Sequence, residues 1–343
     1  MSNSDIKSML PDELEEYFAS VGEKQYRAGQ VFKWLHEGVT SFEQMTNLSG
    51  NLRTKLSNDF FITTPKVIEK HESKLDRTIK HLWRLSDGAA IESVLMEYKH
   101  GFSICISTQV GCRMGCLFCA SGTNGLERNL TAAEMIDQVL FSQINSTKRI
   151  SNIVLMGIGE PLDNFDNVVR FIKLITNPLG INIGARHITL STCGIIENID
   201  KLGDYGIQLT LAISLHAPDD ETRKLLMPIA HKYSVDKLLV AAEDYYKKTK
   251  RRVTYEYALI NDVNDSPRHA QMLARKLKNS GSHLNIIFLN CIPGRDFEPS
   301  SKTRADEFLD CLKRNGISYT IRRNLGSDIA ASCGLLRQRS GDI

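Results

Sequence analysis

Between about residue 101 and residue 314 the chain repeats one pattern six times: a short apolar run, then a stretch with helical periodicity. The runs read as strands at 103–108, 153–156, 187–191, 209–214, 254–259 and 284–290. The stretches read as helices at 132–144, 167–175, 196–202, 235–246, 269–277 and 304–314. Strands joined through a helix run parallel, and their crossovers are right-handed, so this alternation leaves few topologies open. Ile153-Val154-Leu155-Met156 is apolar without alternation, as a strand covered on both faces requires. The expectation is an α/β fold built as a partial (β/α)6 barrel.

Barrels of this kind gather their chemistry at the C-terminal ends of the strands. A cysteine loop follows the first strand, Gly157-Ile158-Gly159-Glu160-Pro161 the second and Ser191-Thr192-Cys193-Gly194 the third. Ser214-Leu215-His216 closes the fourth, and Asn290 ends the sixth. The loop Cys112-Arg113-Met114-Gly115-Cys116-Leu117-Phe118-Cys119 has the spacing CxxxCxxC. Three thiolates on one short loop can hold three irons of a four-iron cluster and leave the fourth open to a small molecule. An electron-transfer cluster takes four cysteines, and a structural zinc site also closes its shell with four donors. Thiolates suit both metals, so a zinc site with a distant fourth ligand stays open at this point. Phe118 could shield such a cluster and pack on a bound adenine.

The two glycines after the second strand let backbone approach a ligand closely, and Glu160 offers a carboxylate to a cation such as the α-amino group of S-adenosylmethionine (SAM). The pair lacks the third glycine of a dinucleotide fingerprint. Ser191, Ser214, His216 and Asn290 could bond ribose hydroxyls or the amino acid part of SAM. Each, taken alone, could equally be a satisfied polar residue at a strand end.

Ahead of the barrel, residues 1–62 read as a small helical domain, with helices opening at Asp12 and spanning 25–37. Residues 63–100 read as a linker and β-hairpin extension, with strands at 78–85 and 90–96 about a Ser86-Asp87-Gly88 turn. The barrel is assigned to 101–325, and 326–343 to a C-terminal segment carrying Cys333. Of the eight cysteines, Cys193, Cys291 and Cys311 read as buried small hydrophobes. Gly334 marks a tight or flexible loop at Cys333. A lone Glu92 on an alternating strand reads as a solvated residue.

The net charge of +3 does not by itself define a nucleic-acid binder. Basic residues cluster at Lys247, Lys248, Lys250, Arg251 and Arg252, and again at Arg314, Arg322, Arg323, Arg337 and Arg339. Such clusters give phosphate affinity without sequence choice, or are solvated surface. The first residues carry no basic start and no apolar run, and nothing is long enough to span a membrane. A cytoplasmic protein with reduced thiols and no membrane partner is expected.

The CxxxCxxC loop, the run Met156-Gly157-Ile158-Gly159-Glu160-Pro161-Leu162-Asp163-Asn164, the run Ile213-Ser214-Leu215-His216-Ala217-Pro218 and the run Asp328-Ile329-Ala330-Ala331-Ser332-Cys333-Gly334 occur in order. Together they resemble the RlmN/Cfr family of radical SAM RNA methyltransferases, over nearly the whole chain. The resemblance implies a radical SAM barrel holding one 4Fe-4S cluster on Cys112, Cys116 and Cys119. SAM would lie against Gly159, Glu160, Ser191, Ser214, Leu215, His216 and Asn290, with two SAM used per turnover. It implies that Cys333 accepts a methyl group from the first SAM, and that a radical from the second converts this to a carbon radical that adds to adenine. It further implies that Glu92 removes the ring proton, and that Cys105 frees the product by a transient disulfide with Cys333. Pro161 stands where the Cfr branch has Ala, which implies methylation at carbon-2 of an adenosine in 23S rRNA and in a tRNA anticodon loop. A small electron donor such as a flavodoxin or ferredoxin is implied as well. Carbon-8 methylation, a glycyl-radical activating enzyme, which would not need Cys333, and a non-catalytic zinc-bound RNA-binding protein are the alternatives.

Overall fold

The computed structural model describes residues 4–99 and 101–336. Ten strands form one open sheet in which spatial order follows chain order. They are β1 (Lys66–Glu72), β2 (Ile79–Arg84), β3 (Ala90–Tyr98), β4 (Gly101–Cys105), β5 (Ile150–Leu155), β6 (Ile188–Thr192), β7 (Thr210–Ser214), β8 (Thr254–Leu259), β9 (His283–Phe288) and β10 (Tyr319–Ile321). From β4 to β10 every pairing is parallel; β1 to β4 pair antiparallel. Each crossover adds its strand on the same side of the one before it, as same-handed connections require. The first and last strands do not meet, so the barrel is partial.

Ten α-helices accompany the sheet among the described residues. The N-terminal three are α1 (Pro11–Ser20), α2 (Tyr26–Glu37) and α3 (Gly50–Asp59). The crossovers carry α4 (Ala132–Ser146), α5 (Phe165–Ile175), α6 (Ile196–Asp204), α7 (Asp220–Leu226), α8 (Val235–Thr249), α9 (Pro267–Leu277) and α10 (Lys302–Arg314). Their starts follow capping chemistry. Thr131, Asp219, Ser234, Ser266 and Ser301 each accept a first-turn N–H with a side-chain oxygen.

The six expected strands and six expected helices all form, with ends displaced by a few residues. The sheet is larger than the periodicity announces. The hairpin is continuous with the barrel, since Val94 pairs with Cys105 across β3 and β4. β1 alternates weakly because most of it faces solvent, and β10 is three residues long, so neither carries a readable pattern.

One apolar core runs from Ile6, Leu14 and Phe18 of the N-terminal segment to Phe308 and Leu312 of α10. A polar clamp fixes the N-terminal segment to α4 and α5. Lys7, almost wholly buried, pairs with Asp137 and donates to the Thr63 carbonyl. Arg170 reaches the Ser8 carbonyl and Glu13. No helix among the described residues is long and apolar enough to cross a membrane.

The first basic cluster is partly neutralised in place. Lys247 pairs with Glu243 and Asp244, and Lys248 with Asp200 and Asp204. Arg337 and Arg339 lie outside the described residues.

Candidate active site

The strand ends open into a cavity. Cys112, Cys116, Phe118 and Cys119 line it, with Gly159, Glu160, Ser191, Ser214, His216, Asn290 and Cys333. Residues expected from five strand ends and from the far C-terminal segment therefore share one space. Leu215 is the exception, being wholly buried outside the lining, and it contributes its backbone N–H and carbonyl to the β7–β8 and α7 contacts.

The glycines at the end of β5 are dictated by contact. A Cβ on Gly157 would lie 2.6 Å from the Ile106 carbonyl oxygen, and one on Gly159, at φ +107°, 2.6 Å from the Gln109 Cβ. Their absence of side chain lets the loop pack down, with the Gly157 N–H donating to Ile106 and the Glu160 N–H to the Gln109 side chain. Glu160 is thereby fixed with its carboxylate buried. One oxygen accepts from the Leu162 N–H at 3.0 Å and the other from the Cys193 N–H at 2.7 Å. Burial raises its pKa, and the donors around it only partly offset this. Among the described residues no Lys or Arg pairs with it, so the cavity wall carries a buried carboxylate lacking a cation, which an ammonium group would supply.

His216 is held at φ +55° where β7 ends. Its Nδ1 accepts from the Ala258 N–H at 2.9 Å, which assigns the ring proton to Nε2. Burial, and then the Arg223 charge, drop its pKa to about 3, so it is a neutral donor at physiological pH. Its ring meets Phe118 edge to face, with centroids 4.6 Å apart.

The donor set fits a cluster: three thiols from one loop line the same cavity, each close enough to another to feel its charge. Burial pushes the Cys112 thiol up to about 12 and that of Cys116 well above its usual range. Loading a metal here must therefore expel protons.

Cys333 lies on an exposed loop clamped across the mouth. Its carbonyl accepts from the Asn290 side chain at 3.0 Å, and the Gly334 carbonyl from the Ala120 N–H of the cysteine loop at 2.8 Å. Asp328 is held by the Ser73 hydroxyl and the Lys74 N–H, and the Ala330 carbonyl by Lys80. Behind this loop is a second cavity, of about 680 Å³, lined by Cys105, Tyr98, Arg323 and Cys333. Cys333 belongs to both cavities, as do Met156, Asn290 and Arg322. Cys105 is buried beneath the loop with Val94, Ile158, Ala331 and Leu336, and burial lifts its thiol to about 12.

Glu92 lies in β3, two residues from Val94 and so on the same face as it. It is 1% exposed, paired with Lys80 at 3.3 Å, and lines neither cavity. The reading of Glu92 as a solvated residue is thus corrected: it is buried against Lys80, which also holds the Ala330 carbonyl of the C-terminal segment. Cys193 and Cys311 are buried as expected, whereas Cys291 is exposed, because it follows β9 into an open loop.

Sequence reasoning missed a network that crosses the cavity floor. Glu256 of β8 accepts from Asn285 of β9 at 2.8 Å and from Arg322 at 3.1 Å. The Cys333 sulfur, taken as thiolate, is the charge that most favours the Arg322 guanidinium. A buried acid between Tyr255 and Tyr257 was the available signal; its partners stand too far along the chain to be seen.

A family model described as the Radical SAM superfamily matches residues 106–273. Another, described as a ribosomal RNA large subunit methyltransferase N-terminal domain, matches residues 4–62. The chain is 51% identical over 342 residues to a protein of Alkaliphilus metalliredigens named "Probable dual-specificity RNA methyltransferase RlmN", covering 100% of this chain and 97% of that one. A protein of Clostridium novyi with the same name is 50% identical, with 97% of each chain covered. Among solved structures, a radical SAM methyltransferase from Sphaerobacter thermophilus superposes with a TM-score of 0.92 at 40% identity, covering 97% of this chain and 99% of that one.

Proposed function

The chain belongs to the RlmN family of radical SAM RNA methyltransferases, and we propose that it methylates carbon-2 of an adenosine in 23S rRNA and in a tRNA anticodon loop. Carbon-2 of adenine has no lone pair with which to attack a methyl donor, so the carbon has to be delivered by radical chemistry. The observation that carries the reading is the position of Cys333, shared by a cavity walled with three cluster-type cysteines and a cavity walled by Cys105.

Cys112, Cys116 and Cys119 would hold a four-iron cluster, which when bound supplies the electron that splits SAM. Glu160 takes the SAM ammonium, His216 donates from Nε2, and Ser191, Ser214 and Asn290 offer hydroxyl and amide groups to the ribose and carboxylate. Gly159 shapes the wall, and Leu215 braces it from behind through its backbone N–H and carbonyl. Cys333 takes a methyl group onto sulfur from a first SAM, which leaves as S-adenosylhomocysteine, and Arg322 lines both cavities beside it. A second SAM is used to activate that methyl for transfer to the base. The Cys105 thiolate then attacks the Cys333 sulfur: the S–S bond forms as the sulfur–carbon bond breaks, the carbon keeps the electron pair and takes a proton to become the methyl group, and a thiol reductant later reopens the disulfide. Glu92 is proposed to take the carbon-2 proton. Its pairing with Lys80, which also holds the Ala330 carbonyl, supports a route in which movement of the Cys333 loop uncovers it. The target base must leave its stack, at least cost in a single-stranded loop. Electrons would come from a small donor such as a flavodoxin or ferredoxin.

The reading is tested by mass spectrometry of nucleosides from 23S rRNA and tRNA treated with the reconstituted protein. 2-Methyladenosine in both is expected; 8-methyladenosine, or no methyladenosine from an iron-loaded protein, would refute it. A separate expectation concerns SAM. Glu160→Gln removes a buried charge-assisted hydrogen bond, so SAM affinity should fall by roughly 10- to 100-fold. Anaerobic titration calorimetry reads this, and an unchanged Kd would remove Glu160 from the SAM site.

A further inference from the structure

Arg223 in α7 is a wholly buried cation. Its Nε donates to the Leu215 carbonyl at 3.1 Å, and its Nη2 to the Cys193 carbonyl at 2.7 Å and the Ser214 carbonyl at 3.1 Å. The guanidinium thus ties together the backbone just past β6 and β7, where the cavity wall is made. Its Nη1 is buried with no partner. Among the described residues no carboxylate lies within ion-pair distance. Asp220, on the same helix, is occupied by the Val235 N–H. The Cys193 and Cys116 sulfurs, taken as thiolates, are the charges that would favour Arg223 most. The helix is docked directly on the cysteine loop, with the Leu117 N–H donating to the Leu226 carbonyl at 3.0 Å.

A buried cation without a counter-charge is strongly disfavoured, and a protein keeps one where an anion completes it. We propose that Arg223 is a positioning residue whose missing counter-charge is the thiolate-bound cluster, and that its charge raises the reduction potential of that cluster. The inference rests on the assignment of Cys112, Cys116 and Cys119 as ligands. The sign follows from electrostatics: the reduced cluster carries one more negative charge than the oxidised one, and a fixed neighbouring cation stabilises it. Cluster potentials respond to net charge, hydrogen bonds and burial. A unit charge within about 12 Å, in a medium of effective dielectric about 20, shifts an equilibrium by about tenfold or more.

The test is an EPR-monitored redox titration of the anaerobically reconstituted protein without SAM, as wild type, Arg223→Gln and Arg223→Lys. Arg223→Gln keeps donors for the carbonyls and removes the charge. At a given potential its reduced fraction should fall about tenfold relative to oxidised, which is 59 mV for a one-electron couple. Arg223→Lys should stay near wild type. An unchanged potential in Arg223→Gln would overturn the inference, as would an Arg223→Lys shifted equally far. Should Arg223→Gln not fold, Arg223→Met serves as the second neutral variant. Failure of both to fold, with Arg223→Lys folded, would assign Arg223 to the fold alone and overturn the inference too. Iron and sulfide content of the wild type reads the ligand assignment separately: a wild type that binds no cluster defeats that assignment, whatever the variants do.

Discussion

Cys333→Ala is expected to abolish RNA methylation, by at least roughly 10³-fold, while cleavage of SAM to 5′-deoxyadenosine continues. The contrast follows from what the substitution removes. The loop is held through its backbone: the Cys333 and Gly334 carbonyls accept from Asn290 and Ala120, and the Ser332 hydroxyl donates to Leu325. None of these contacts uses the sulfur, and an exposed side chain replaced by Ala changes stability by no more than about 0.5 kcal/mol. The cluster cysteines and the groups assigned to SAM stay in place. What disappears is the only thiol that faces both cavities among the described residues. Cys193 cannot replace it, being buried in the wall with its thiol hydrogen-bonded to Glu160. Liquid chromatography of 5′-deoxyadenosine beside nucleoside analysis measures both quantities on one sample. A variant that still methylates RNA would refute the methyl-carrier role and return the glycyl-radical activating alternative, which needs no such thiol.

The parts of this site legible in the chain were those written locally. The CxxxCxxC spacing, the crowded glycines at 157 and 159, and polar residues at strand ends are each complete within a few positions. The conjunction of Glu256, Asn285 and Arg322 was not legible, because two come from different strands and the third follows the last strand, and no local pattern joins them. Glu92 was misjudged for a related reason. Alternation in β3 reports one covered face and is silent about burial against Lys80, which is itself tied to Ala330, beyond the whole barrel. Arg223 lies in a seven-residue helix too short to show periodicity, and its burial is decided by the loops after β6 and β7.

Cys105→Ala is expected to trap the protein covalently on its RNA. The thiol sits below the Cys333 loop, in the wall of the second cavity, packed by Val94, Ile158, Ala331 and Leu336. Deleting one buried sulfur leaves a small void and costs about 1 kcal/mol, so the fold should survive. Methyl transfer to Cys333 and addition to the base do not use Cys105, and both should proceed. The bond from the Cys333 sulfur through carbon to adenine does not hydrolyse, and a second sulfur is required to displace it. Burial raises the Cys105 thiol to about 12, and the Arg322 charge works against that rise. The thiol is therefore protonated at neutral pH and must lose its proton before it can attack. The variant should migrate in denaturing gels as an adduct that survives reductant and collapses on ribonuclease treatment, with near-stoichiometric modification and no multiple turnover. If the variant is recovered free of RNA under conditions in which the wild type is active, Cys105 does not resolve the intermediate. The disulfide step would then have to pass to another thiol, of which Cys291, exposed and next in sequence to the lining residue Asn290, is a candidate open to solvent.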